Sequence, residues 1–198
     1  MLFIPFRRWR KSIGGPTTFM RNLQCYLDEE RHPYRSVYLW GDSIFFPIHF
    51  NPAKVRRIKK RGGKVIQRLD GCHTHSDGSE DIERNQRLSE NYRHLADFII
   101  FQSKYSKTLC ATLLGDTTAP STIIYNGVNS DIFFPAKQPL ATNRPIEFVV
   151  TGNFRSSVML QPILDALDLL QHQFDFRLHI CGPITTPPQK INMLYSMA

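Results

Sequence analysis

Two glycines, an aspartate and an Asn-Gly pair are the residues of this chain best placed, by type and spacing, to do chemistry. Gly14 and Gly15 separate a short apolar run, "LFIPF", from the helical pattern "PTTFMRNLQCYLDEE". Lacking a Cβ, they can bring backbone N–H groups close to an anion at the positive end of a helix. Their spacing fits neither G-x-G-x-x-G nor G-x-x-x-x-G-K-[ST], so NAD binding and ATP hydrolysis both lack their expected anchor. A plain turn accounts for the pair equally well. Asp70 and Gly71 close the run "KVIQRLDG". A carboxylate there could accept a hydrogen bond from a polyol hydroxyl or stabilise a developing positive charge, with Arg68 as partner for it or for a phosphate. A surface aspartate capping its own loop is the plainer alternative.

Further along, "FQSKYS" ends a strand pattern with Gln102 and Ser103. Lys104 follows, where it could meet a phosphate, and Ser103 could cap the next helix. Asn126 and Gly127, in "YNGVN", suit a tight bend whose side chain and backbone could form a cleft wall. Cys72, His73 and His75 are of metal-binding type. Three ligands within four positions and no second cluster rarely close a tetrahedral zinc site, so no metal is expected.

These residues need strands that end on one side. Strand patterns fall at 2–6, 36–40 ("SVYLW"), 64–71, 97–103 and 121–127. Helical patterns fall at 16–30, with Thr17 or Thr18 as cap, and at 51–62, 80–96 and 104–115. Such alternation favours an α/β fold, a parallel sheet with helices on both faces and ligands at the carboxyl ends of its strands. The segment "PAKQPLATNRP" reads as a linker, and the pattern then restarts with strands at 146–152 and 176–182, a helix at 159–171 between them and the start of another helix at 185–198. The expected division is a first domain over 1–135, a linker over 136–145 and a truncated or split second domain over 146–198, because two strands cannot bury both faces of a parallel sheet. A small appended domain is the alternative.

With 198 residues, 41% of them hydrophobic, the chain can build a core and is not disordered. Residues 1–68 hold 15 Lys or Arg against 4 Asp or Glu, and the remaining 130 hold 10 against 13. The net charge of +8 is therefore a property of the first third. Such a surface suits phosphate, an anionic membrane or nucleic acid. No apolar run nears the roughly 18–20 residues that span a bilayer. In "MLFIPFRRWRK" the basic residues follow the apolar ones, opposite to a secretion signal, so a cytoplasmic chain is expected. Cys25, Cys72, Cys110 and Cys181 are scattered, three of them beside or inside apolar segments, which fits buried thiols better than a disulfide framework.

Taken together, several motifs resemble glycosyltransferases of family 4. "IIYNGVNSDIFFP" is similar to the I-x-N-G-V-D…F-x-P sequence that closes their amino-terminal domain. "ADFIIFQSKYSKTLC" resembles their A-D-x-V-I-x-x-S-x-x-S run, "GGPTTFMRNLQCYL" their glycine loop and first helix, and "KVIQRLDG" a subgroup with R-x-D-G at this strand end. "FVVTGNFR" and "LHICGP" are similar to the first two strands of their nucleotide-sugar domain, so the likeness covers most of residues 2–183.

The resemblance implies a GT-B architecture of two facing Rossmann-like domains, the second incomplete here. It implies metal-independent, retaining transfer of a sugar from a UDP- or GDP-sugar to an acceptor hydroxyl, with no cofactor required. Asp70 would lie close to the transferred sugar as the catalytic candidate. Gly14 and Gly15 would lie near the donor phosphates or the transferred sugar, Asn126 and Gly127 would shape the domain junction, and Arg155 would add positive charge to the diphosphate, while Lys104 stays a phosphate-binding candidate by its place at a strand end or else a solvated lysine. The family's acidic pair, E-x7-E, does not occur within residues 1–198, so this stretch alone is expected to bind a nucleotide sugar poorly unless a separate polypeptide supplies the remainder. Implied partners are the nucleotide sugar and a glycan, lipid-linked or protein acceptor.

The rival reading is a noncatalytic carbohydrate- or partner-binding remnant of such an enzyme. A third, nucleic-acid binding, draws on "KVRRIKKRGGK" and "RRWRK", but no recognition module accompanies these short basic stretches. The same charges also suit peripheral contact with an anionic membrane.

Overall fold

The computed structural model describes residues 1–6, 15–39, 42–48, 50–73, 75, 79–128, 130, 133–135, 145–152, 154 and 159–182. Contacts divide the chain into two units, Met1–His73 with Glu80–Gly127 and Thr74–Ser79 with Val128–Ala198. Gly14, Arg155, most of the expected linker and the expected helix at 185–198 lie outside the described residues.

The first unit is a six-stranded, wholly parallel sheet. Its strands are β1 (Leu2–Phe3), β2 (Tyr34–Arg35), β3 (Ser43–Pro47), β4 (Val65–Leu69), β5 (Phe98–Phe101) and β6 (Ser121–Ile123), in the order β2-β1-β3-β4-β5-β6. From β1 the chain first steps outward to β2 and then returns past β1 to β3 before progressing to β6. Crossovers of one hand that run in opposite directions place their helices on opposite faces. Accordingly α1 (Gly15–Glu29) covers one face, where Met20 packs on Ile4 and Phe45. On the other face lie α2 (Pro52–Lys60), α3 (Ile82–Glu90) and α4 (Lys104–Leu114). There Val55 and Ile58 pack on Phe3, Ile44, Phe46 and Val65, while Leu88 and Cys110 pack on Leu69, Ile99 and Phe101. Strand alternation sends neighbouring residues to opposite faces, so Phe45 joins α1 while Ile44 and Phe46 join α2. This is a Rossmann-like fold.

Between α3 and β5 the helix widens into a π-helical turn, Asn91–Leu95, closed by the Ala96 N–H on the Asn91 carbonyl at 2.8 Å. Tyr92 faces the α3–α4 cluster and Leu95 the α2 cluster.

Two sequence expectations need correction. Residues 36–39 of "SVYLW" form no strand: Val37 and Leu39 are exposed, and within 36–39 only Tyr38 packs against the core. The second long strand is instead "SIFFP", whose Ile44, Phe45 and Phe46 are all buried because both faces of this central strand are covered. Pro47, which reads as a breaker, is tolerated as its last residue. Nor do Thr17 and Thr18 cap α1. The helix begins at Gly15 with Pro16, and both threonines lie inside its first turn. The expected Ser103 cap does form, and more fully than a single bond: Ser103 and Ser106 make reciprocal side-chain bonds to each other's backbone N–H at 3.0 Å.

Ile48, directly after β3, has φ 59°. A β-branched residue in this left-handed region is an outlier. Two bonds hold it there: its N–H donates to the Arg68 carbonyl at 2.7 Å, and its carbonyl accepts from Gln67 Nε2 at 2.5 Å.

In the second unit, β7 (Ile146–Thr151) pairs in parallel with β8 (Phe176–Cys181), joined by α5 (Gln161–Leu170). Leu160, Leu164, Val150, Leu178 and Ile180 pack together on one face. The opposite face carries Glu147, which meets His179 at 2.8 Å and Arg177 at 3.8 Å.

Ile48→Gly should lose less stability than Ile48→Ala, by about 1–2 kcal/mol, because only the alanine keeps the left-handed penalty while both lose the side chain. Urea unfolding of the two variants measures the order, and a more stable alanine variant would contradict the strain.

Candidate functional site

Parallel pairing brings the carboxyl ends of β4, β5 and β6 side by side. Arg68, in β4, points to the α1 face, and its side chain is 2% exposed. The burial of a cation this deep demands partners. Its Nη2 donates to Gln102 Oε1 at 3.1 Å and to Asn126 Oδ1 at 2.7 Å, one acceptor from beyond each of the next two strands. The guanidinium also lies over the Phe19 ring of α1, 3.9 Å from its centroid, a cation–π contact that compensates for lost water. Nη1 lies 3.8 Å from Asp70 Oδ2. Burial lowers the guanidinium's affinity for its proton, and Asp70 opposes that shift.

Asp70 stands one residue past β4. Burial raises its carboxyl above the ordinary value of 3.8, outweighing Arg68, a backbone hydrogen bond and His73, which all lower it. Its Oδ1 is buried and, among the described residues, accepts no hydrogen bond. An acceptor of this kind, left open beside a fixed cation, is suited to a ligand hydroxyl.

The loop after Asp70 is fastened to α3. Asn85 Oδ1 accepts from the His73 N–H at 2.8 Å, and its Nδ2 donates to the His73 carbonyl and to Glu80 Oε1, both at 3.1 Å. On α1, buried Gln24 donates to the Phe6 carbonyl at 3.2 Å, fixing the chain as it leaves β1.

Asp70 and Asn126 are thus joined through Arg68, and Gln102 belongs with them. Gly15, the first residue of α1, is one turn before Phe19, with open space where a Cβ would stand. Lys104 opens α4 and is exposed, as is Gly127. Among the described residues the Lys104 side chain makes no bond to the Arg68 cluster, and Gly127 has open space around its Cβ position. Among the described residues, no group of three or more His, Cys, Asp or Glu is close enough to hold a metal ion. A separate hollow of about 250 Å³ lies on the α2 face, lined by Phe3, Tyr38, Phe50, Lys54, Arg57 and others.

Sequence reasoning named Arg68 and Gln102 but missed Phe19, whose helical periodicity marks only a core position, and the Asn85 clamp. A polar residue on the buried stripe of α3 was the available signal for the latter.

No family model matches the chain, and no curated protein matches it. The architecture is that of a Rossmann-like α/β domain, a type that serves nucleotide-binding enzymes generally. Among the described residues no helix is long and apolar enough to cross a membrane.

Arg68→Met would leave Asp70, Gln102 and Asn126 without their shared cation and should cost about 3–5 kcal/mol of stability, read from denaturant unfolding. A loss below 1 kcal/mol would show that the cluster contributes little. The raised carboxyl of Asp70 gives a signed pH dependence. The folded protein holds this proton more tightly than the unfolded chain does, so the contribution is full below pH 3.8 and is lost as pH rises through the higher folded value. The unfolding free energy of the wild type relative to Asp70→Asn should therefore fall across that window and stay flat above it, as measured by urea titrations over a pH series.

Proposed function

We propose that this chain is the acceptor-side portion of a retaining glycosyltransferase of GT-B type, transferring a sugar from a UDP- or GDP-sugar to an acceptor hydroxyl. The observation that carries the reading is the open, buried Oδ1 of Asp70 beside the fixed Arg68 cation, at the strand ends where an open parallel sheet takes its ligands. The motif resemblance to family 4 supplies the reaction class.

In this reading, departure of the nucleoside diphosphate breaks the bond from the anomeric carbon to phosphate oxygen and leaves an oxocarbenium-like centre. The acceptor oxygen bonds to the same face, and its proton passes to the departing diphosphate. Asp70 accepts a hydrogen bond from a sugar hydroxyl and, when ionised, stabilises the developing positive charge. Arg68 positions it, and the Gln102, Asn126 and Phe19 contacts hold Arg68 still. The amino-terminal end of α1, at Gly15, lies near the diphosphate. Lys104 supplies further positive charge.

The test is transfer of labelled sugar from UDP- and GDP-hexoses by the protein as isolated from its own cells, with any associated chain retained. Asp70→Asn should reduce kcat by about 100-fold, and the product should keep the donor's anomeric configuration. Unchanged turnover in Asp70→Asn would remove Asp70 from this role. Glycan binding without turnover would replace the enzyme reading with that of a binding remnant.

A further inference from the structure

The sulfurs of Cys72 and Cys110, 38 positions apart in sequence, are 3.9 Å apart in the fold, and both thiols are free. They sit on different kinds of support. Cys110 is fully buried on α4, a helix held by its Ser103–Ser106 capping box and by core contacts to Leu69 and Phe101. Cys72 is half-buried in the loop after β4, two residues beyond Asp70, with its sulfur 4.0 Å from the Leu109 carbonyl. Gly71, between Asp70 and Cys72, has φ 153°, a conformation that glycine adopts readily, and the nearest atom to its Cβ position is a Leu109 methyl at 3.9 Å. Asn85 fastens the loop at His73, so the approach to the helix falls on Gly71 and Cys72, between Asp70 and that clamp. A disulfide has S–S of about 2.0 Å, so closure takes about 2 Å of approach, shared between side-chain rotation and a small loop shift.

We propose that Cys72 and Cys110 form a reversible redox pair, oxidised by a hydroperoxide to a disulfide that ties the β4–α3 loop to α4 and repositions Asp70. The partly accessible Cys72 reacts first. Its sulfur contact with Cys110 holds its thiol below the ordinary 9.0, whereas that same contact and burial hold Cys110 well above it. The Cys72 thiolate attacks one peroxide oxygen and the O–O bond breaks. The other oxygen leaves as hydroxide and takes up a proton to become water, and Cys72 becomes a sulfenic acid. Cys110 sulfur then attacks Cys72 sulfur and the S–O bond breaks. The departing hydroxide leaves as water with the Cys110 proton. Two thiols and one hydrogen peroxide thus give one disulfide and two waters, and an external dithiol reverses the change by exchange. The remaining cysteines are placed differently: Cys25 is half-buried on α1, and Cys181 is exposed in the second unit.

Fully reduced protein treated with hydrogen peroxide, alkylated and digested should yield a Cys72–Cys110 cross-linked peptide that dithiothreitol removes. A Cys25→Ser/Cys181→Ser double variant, which leaves the buried thiol untouched, should give the same link. Cys72→Ser should give none. Amide hydrogen exchange at residues 70–73 should slow on oxidation while β5 stays unchanged. Oxidation of Cys72 to the sulfinic acid without a link to Cys110, or a first disulfide made through Cys181, would overturn the pair. A link with no change in exchange at 70–73 would overturn its effect on Asp70. None of these readouts depends on glycosyl transfer, so the two readings stand or fall separately.

Discussion

A guanidinium taken almost wholly out of water is the constraint on which one end of the first unit depends. Arg68 cannot be accommodated by β4 alone. Its charge is shared among Asp70 just beyond its own strand, Gln102 and Asn126 beyond the next two strands, and Phe19 on the helix above. Each partner belongs to a different element, so one desolvated charge makes the relative placement of four segments a matter of electrostatics as well as packing. A hydrophobic residue of similar size could fill the same volume, but it would leave the strand ends free to choose other side-chain arrangements.

The same end of the sheet also holds backbone tension. Ile48 keeps an unfavourable left-handed conformation because Gln67 and Arg68 each give it a bond. Gln67 and Arg68 point to opposite faces of β4, so this strand controls the exit of β3 with one residue and the polar cluster with the next. Strain and buried polarity gathered at strand ends are a common accompaniment of ligand sites, because neither is favourable unless the surroundings fix it.

The alternation of helices and strands was legible because α1, α2 and α3 each carry a one-sided apolar pattern, and the parallel sheet followed from that order. The β3 strand was not. Its three-residue apolar core is too short to show a period, and Pro47 disguises its end, whereas "SVYLW" has β-forming composition but, within 36–39, only Tyr38 finds a core to pack on. In the site, Asp70, Gln102 and Asn126 could be read from their positions at strand ends. The guanidinium that joins them is visible in sequence only as an arginine in an apolar strand. Its stacking on Phe19 depends on crossover direction, which no local pattern encodes.

The π-helical turn at Asn91–Leu95 carries one residue more than a regular helix of the same rise would need. Excising that residue would restore ordinary winding but rotate everything downstream by about 100°, one residue's share of a 3.6-residue turn. Leu95 would then swing away from Ile58 and Val65, and the lead into β5 would arrive out of phase with β4. The irregularity therefore acts as an angular spacer, letting a single continuous helix serve two separate hydrophobic clusters.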